Sequence, residues 1–236
     1  FCFEDQKLTF TRYYLPTYEQ APVSKEDILA IMENSVQAHM IADVEVGTFL
    51  SGGIDSTIIA TIASRLKPGI KSFTVGFDVE GYNEIEVAKK TAEALGIENY
   101  AHIITQQEYI EALPDIVSKL DDPMADPSAP GIYFLSQEAR KHVKVVMSGE
   151  GSDEFFGGYN IYKEYLSVKP MWHLPKPLRS LIHAIAQKLP DIKGKSYLLR
   201  ATSPLSSRYI GNAKIFENEQ VAKVMKHYDP DYTYQK

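Results

Sequence analysis

A run rich in β-branched and aromatic residues, Val44-Glu-Val-Gly-Thr-Phe-Leu50, ends directly in Ser51-Gly-Gly-Ile-Asp55-Ser56-Thr57. Beyond it, Ile58, Ile59, Ile62, Ala63 and Leu66 recur at the spacing of one helix face. A strand that turns through two adjacent glycines into a helix permits few folds. It lets backbone approach a ligand closely and points the N–H groups of a helix N-terminus outward, which makes an anion site. The Ser and Thr hydroxyls add donors. Asp55 adds a carboxylate, which an anion tolerates through a bridging metal. No Gly-Lys-Ser/Thr follows, so this is not a Walker A loop, and adjacent glycines depart from G-x-G-x-x-G.

The same alternation continues along the chain. Residues 71–77, 100–104 and 143–147 read as further strands. Helices are predicted from a Ser24/Asp27 capping box through Ile28, Ile31, Met32 and Val36, and from an Asn83/Glu86 capping box to Gly96. Others are predicted over about residues 107–120 and through Tyr133, Phe134 and Leu135. Strands separated by helices imply right-handed βαβ units, and so an α/β fold with a doubly wound parallel sheet. In such sheets ligands bind beyond the carboxyl ends of the strands, where strand order reverses. The segments after Leu50, Val75 and Met147 all fall at such ends.

The flanks differ in character. Residues 1–22 suggest two short strands, Leu8-Thr-Phe10 and Arg12-Tyr-Tyr-Leu15, and then a linker containing Pro16 and Pro22. Residues 23–165 form the predicted core. Residues 166–236, punctuated by Pro170, Pro175, Pro177, Pro190 and Pro204, read as a C-terminal helical appendage, expected to be incomplete. At 236 residues the chain suits one large domain with an appendage, and 44% hydrophobic residues supply its core. A net charge of −6 argues against nucleic acid as the main partner. Nothing approaches the length of a membrane span, and no signal peptide is recognisable. The single cysteine, Cys2, excludes an internal disulfide and suits a reducing compartment, so the expected location is cytoplasmic. His39, His102 and His142 are scattered without metal-site spacing.

A second constellation, Ser148-Gly-Glu150-Gly-Ser-Asp153-Glu154, repeats the logic of the first: a strand ends, glycines free the backbone, and carboxylates open the next helix. Asp153 suits N-capping on its own. Beside a polyphosphate site, carboxylates also suit Mg2+, which takes oxygen ligands, and Asp55 with Asp153 is the natural pair.

The first loop resembles the S-G-G-x-D-S pyrophosphate loop of enzymes that transfer AMP to an oxygen before amidation. Four segments occur in order: Leu50-Ser-Gly-Gly-Ile-Asp-Ser56, Ser72-Phe-Thr-Val-Gly-Phe77, Asp121-Asp-Pro-Met-Ala-Asp-Pro-Ser128 and Ser148 through Tyr159. Together they resemble the synthetase half of the glutamine-hydrolysing asparagine synthetases, over roughly residues 10–165. Ile54 and Ser152 stand where that family usually has Leu and Ala, and neither change removes a charged or donor group.

The resemblance implies an adenine nucleotide alpha hydrolase-like fold, ATP and Mg2+ as cofactors, and ligase chemistry. Ser51, Gly52, Gly53, Asp55 and Ser56 would hold the β- and γ-phosphates. Leu50, Val75 and Gly76 would flank adenine, and Ser148 and Gly149 would contact the nucleoside through backbone. Asp55 and Asp153 would hold Mg2+, and Glu150 would face the reacting carboxyl. Asp126 and Ser128 would line the amino-acid side of the pocket, although they suit a turn equally, and Val75 also suits core packing. Aspartate would be adenylated on its side-chain carboxylate, and ammonia would then displace AMP. The ammonia would come from glutamine through a glutaminase domain expected upstream, of which residues 1–14 would hold a final strand. A basic residue that stabilises pyrophosphate is not assigned, and a homo-oligomer is left open. Two rivals share these features: a β-lactam synthetase-like or peptide-modifying adenylator, and a nucleotide-binding interaction module without catalysis.

Overall fold

The computed structural model describes residues 1–15, 17, 21–79, 83–121, 126–190, 192–203 and 218–227. It divides into two compact units, Phe1–Glu150 and Gly151–Lys236.

The first unit opens with an antiparallel pair, β1 (Cys2–Glu4) and β2 (Lys7–Thr9), in the register Cys2↔Thr9. Asp5 and Gln6 turn the chain with φ of 51° and 60°, the left-handed conformation that a two-residue hairpin needs. This corrects the expected second strand. The turn pairs Lys7 with Glu4 and the pairing ends at Thr9, so Arg12 to Leu15 lies in no strand. The expected linker proline Pro16 lies outside the described residues.

Helix α1 (Lys25–His39) begins at the expected capping box. The Ser24 hydroxyl accepts from Asp27 N–H at 3.0 Å, and the Asp27 carboxylate accepts from Ser24 N–H at 2.9 Å. Four parallel strands follow: β3 (Val46–Phe49), β4 (Ser72–Phe77), β5 (Asn99–Ile104) and β6 (Val145–Met147). Their order across the sheet is β5-β4-β3-β6. The chain walks outward from β3 to β5 and then returns to the other side of β3. The reversal, and with it the crevice expected to bind ligand, therefore falls between β3 and β6.

Helices cover both faces. Helix α2 (Ile54–Leu66) and α3 (Ile85–Leu95) join α1 on one side, where Val36, Val46, Ile62, Ala63, Ile70 and Met147 form one cluster. Leu50, Ala60, Ala88 and Ala92 form another. Small alanines on α2 and α3 let both helices lie close to the strand ends. On the opposite face α4 (Gln106–Lys119) packs with α5 (Ala129–Ala139), and Phe73, Ala139 and Val143 form the core.

Helix α3 does not start with the expected Asn83/Glu86 box. Glu84 is its N-cap residue and makes no capping bond, while Asn83 Oδ1 accepts from Ile85 N–H at 3.1 Å. Asn83 is drawn inward: a Cβ on Gly76 would lie 2.7 Å from Asn83 Oδ1. At the other end Gly96 terminates the helix at φ 65°, as expected.

Within the second unit the described residues are helical: α6 (Ser152–Phe156), a 3-10 turn (Asn160–Lys163), α7 (Glu164–Trp172), α8 (Lys176–Lys188), α9 (Lys195–Thr202) and a segment over Asn218–Val224. Pro177 sits in the first turn of α8, where its missing N–H costs nothing. Pro170 lies inside α7 instead of breaking it. Pro204 lies outside the described residues. Among the described residues no helix is long and apolar enough to cross a membrane.

Candidate active site

The bend after β3 is tied mainly to itself. The Ser51 hydroxyl accepts from Gly53 N–H at 3.0 Å and lies 2.8 Å from the Ser56 hydroxyl, which in turn accepts from Ser51 N–H at 3.0 Å. The Thr57 hydroxyl donates to Gly53 O at 2.8 Å. The hydroxyls expected to face a ligand therefore shape the turn. No side chain caps α2, and its first helical bond runs from Thr57 N–H to Gly53 O. The N–H groups of Ile54, Asp55 and Ser56 precede that bond and stand at the positive end of the helix dipole.

The root of this bend is fixed from inside the sheet. Leu50 N–H donates to Phe73 O at 2.9 Å, and Thr74 Oγ1 donates to Leu50 O at 2.7 Å. Asn99 Nδ2 donates to both Ser72 Oγ and Thr74 Oγ1, at 3.0 and 2.9 Å. This buried polar ladder crosses three strands. Sequence patterning missed it, because Ser and Thr in a strand look merely compatible with burial. Leu50 is only 2% exposed and packs with Ala60 of α2 and with Ala88 and Ala92 of α3. Val75 is half-buried in β4, and Gly76 is held bare by Asn83 and Ile85.

The second bend comes alongside the first. The pairs Val46↔Val145 and Thr48↔Met147 put β6 beside β3. A Cβ on Gly149 would lie 2.9 Å from Ser56 N and 3.0 Å from both Asp55 C and Asp55 Cβ. The backbone at Gly149 thus rests directly on the first turn of α2, and only glycine fits there. Ser148 and Glu150 flank it, with Glu150 N–H donating to Ser148 Oγ at 3.3 Å. The structure therefore brings together Ser51, Gly52, Gly53, Asp55, Ser56, Ser148 and Gly149, with Glu150 next in the chain.

Asp153 belongs to the second unit and is described within it. It lies in the first turn of α6, whose N-cap is Gly151 at φ 88°, so it does not cap the helix. Its Oδ1 fills the space of a side chain at 158, only 1.8 Å from where a Gly158 Cβ would stand. Beside it the Tyr159 hydroxyl donates to Glu154 Oε1 at 2.9 Å, which pushes the phenol up to about 12.

Asp126 and Ser128 bond to each other. Ser128 N–H and Oγ donate to Asp126 Oδ1 at 2.9 and 2.8 Å, and these bonds hold the Asp126 carboxyl below its ordinary range. Both residues stand on the rim of a recess of about 600 Å3 lined by α4 and α5, including Ile116, Leu120, Ile132 and Arg140. No residue of either glycine bend lines it. Residues 122–125 of the same motif lie outside the described residues.

Asp55 is an exposed carboxylate at the open end of α2 and accepts no side-chain hydrogen bond among the described residues, leaving oxygens that fit a hard cation. No group of three or more His, Cys, Asp or Glu gathers among those residues.

The sequence as a whole has relatives. The asparagine synthase family profile matches residues 27–232. The chain belongs to the asparagine synthase family. It is 47% identical to asparagine synthetase [glutamine-hydrolyzing] 1 of Bacillus subtilis over 98% of its own length and 37% of that protein's. It is also 47% identical to a putative asparagine synthetase [glutamine-hydrolyzing] of Mycobacterium bovis, over 95% of this chain and 36% of that one. The chain thus spans little more than a third of the relatives it matches. Among solved structures it is similar to an NH3-dependent NAD synthetase from Campylobacter jejuni, with a TM-score of 0.43 and 16% identity over 76% of this chain and 92% of the other.

Proposed function

We propose that this chain is the ATP-binding synthetase part of a glutamine-dependent asparagine synthetase. The observation that carries the reading is the seat of Gly149 on the first turn of α2, at the reversal of strand order. Two glycine bends thereby share one rim beside a helix end whose N–H groups have no side-chain cap. The relatives' names support the choice of substrates: that of B. subtilis is an asparagine synthetase and that of M. bovis a putative one.

In this reading the α2 N-terminus and the Ser51–Ser56 bend receive the β- and γ-phosphates of ATP. The aspartate side-chain carboxylate attacks the α-phosphorus, the bond to the β-phosphate oxygen breaks, and pyrophosphate leaves. Charge gathers on the departing phosphates, where preset N–H dipoles are most effective because they need no reorganisation. Asp55 and Asp153 would hold Mg2+, which supplies charge neutralisation on the phosphate oxygens. Ammonia then adds to the acyl-adenylate carbonyl and AMP departs with its oxygen, leaving the amide. Glu150, beside Gly149, orients the mixed anhydride or takes the proton lost by ammonia. Leu50, Val75 and Gly76 flank adenine. Glutamine, cleaved by a glutaminase domain preceding these residues, is the ammonia source, and the setting is the cytoplasm.

The test is aspartate-dependent exchange of labelled pyrophosphate into ATP by the full-length protein. Exchange with aspartate supports the reading. Exchange only with a different acid replaces the substrate, and none with any acid removes catalysis. The isolated 236-residue piece is expected to bind ATP weakly and make little asparagine.

A further inference from the structure

One tie on the first glycine bend comes from outside it. Gly52 N–H donates to Glu84 Oε2 at 3.1 Å, across 32 residues of sequence. Glu84 is the N-cap residue of α3, and its carbonyl accepts from Ala88 N–H at 3.0 Å, yet its side chain makes no capping bond. Nor does it form an ion pair with any described residue. Its placement follows from β4: Asn83 Oδ1 sits against Gly76 and accepts from Ile85 N–H, which orients the first turn of α3. Gly52 faces that turn, since a Cβ there would lie 3.5 Å from Val87 and 3.7 Å from Glu84 Cβ.

We infer that Glu84 is a positioning residue for the phosphate loop, acting through the Gly52 amide. The ties among Ser51, Gly53, Ser56 and Thr57 fix the shape of the bend but not its tilt against α3. A carboxylate supplies that constraint because it is an acceptor only, so Gly52 N–H always finds an oxygen. The link also runs from the end of β4, at Gly76, to the phosphate end of the site. A negative side chain beside a polyphosphate weakens its binding, so the role needs the acceptor and not the charge.

This inference rests on reading the bend as a phosphate loop, and the test separates the two. In the full-length protein, Glu84→Ala leaves Gly52 N–H without its acceptor, while Glu84→Gln keeps an acceptor without the charge. Since about 1 Å of misplacement costs on the order of 100-fold, Glu84→Ala is expected to lower kcat for aspartate-dependent pyrophosphate exchange by roughly 10- to 100-fold. The KM for ATP should move less than about threefold, because the loop acts mainly on charge developing in the transition state. Glu84→Gln should restore kcat to within about threefold of wild type. Amide hydrogen exchange at Gly52 should quicken in Glu84→Ala and stay slow in Glu84→Gln. Unchanged kcat and Gly52 exchange in Glu84→Ala overturn the role, as does Glu84→Gln failing as badly as Glu84→Ala. Tighter ATP binding in both variants would make Glu84 a competitor of phosphate and would also overturn it. A wild type that neither binds ATP nor exchanges pyrophosphate refutes the proposed function itself, and the Gly52 exchange rates then show whether the brace exists without it.

Discussion

The two glycine bends reach one rim by opposite means. The first, Ser51 to Ser56, keeps its form through hydroxyls that bond its own backbone, with Thr74 and Asn99 anchoring its root. The second, at Ser148 to Glu150, is shaped by contact, since Gly149 lies against the backbone of Asp55 and Ser56. One is a self-supporting turn and the other a conforming one. Substitutions in the first should therefore be felt as lost hydrogen bonds, and in the second as collisions.

The sharpest way to break this contrast is Gly149→Ala. Its Cβ would meet main-chain atoms at 2.9–3.0 Å, which cannot swing aside. We expect pyrophosphate exchange to fall on the order of 100-fold and stability in urea to fall by about 1–3 kcal/mol. Gly52→Ala is the matched control: its Cβ would make ordinary contacts at 3.5–3.7 Å, and its unfolding midpoint should barely move. Equal damage from both would erase the distinction.

Asp55→Asn comes next and separates chemistry from architecture. The exposed carboxylate holds up none of the described hydrogen bonds, so exchange should drop roughly 100-fold while stability changes by no more than about 1 kcal/mol, the scale of a helix-dipole interaction. A large fall in Tm would show that the residue is structural.

Ser51→Ala probes the self-tied bend more gently. Losing the acceptor for Gly53 N–H should cost about 0.5–1.5 kcal/mol. Ser148→Ala, which removes a bond at 3.3 Å on an exposed segment, should cost less in the same denaturation series.

Asp126 offers the smallest effect. Its carboxyl is held below the ordinary value, first by Ser128 N–H and then by the Ser128 hydroxyl. A depressed folded-state pKa adds stability above the unfolded value, and that stability is lost as pH falls through the folded one. Ser128→Ala should raise the Asp126 midpoint in an NMR titration and leave neutral-pH stability nearly unchanged.

Much of this was legible in the sequence, for stated reasons. Strand-like runs before Ser51 and Ser148, with helical spacing behind the first, announced parallel βαβ units and the rim on which both bends stand. Ser24 with Asp27 announced the start of α1. Less legible was anything decided by tertiary approach. Asn83 and Glu86 match a capping box, but Gly76 lets Asn83 come inward and the helix starts one residue later than that pattern requires. The positive φ of Asp5 and Gln6 moved the first strands toward the N-terminus. The Asn99–Thr74–Leu50 ladder links three strands, and no local period encodes it. Glu84 gave no sign of its bond to Gly52, because a glutamate opening a helix is ordinary on dipole grounds alone.

At Gly149 the seam joining the bends is made of the Ser56 nitrogen, the Asp55 carbonyl carbon and the Asp55 Cβ. The outline of the cleft between the bends should accordingly be set by main-chain packing.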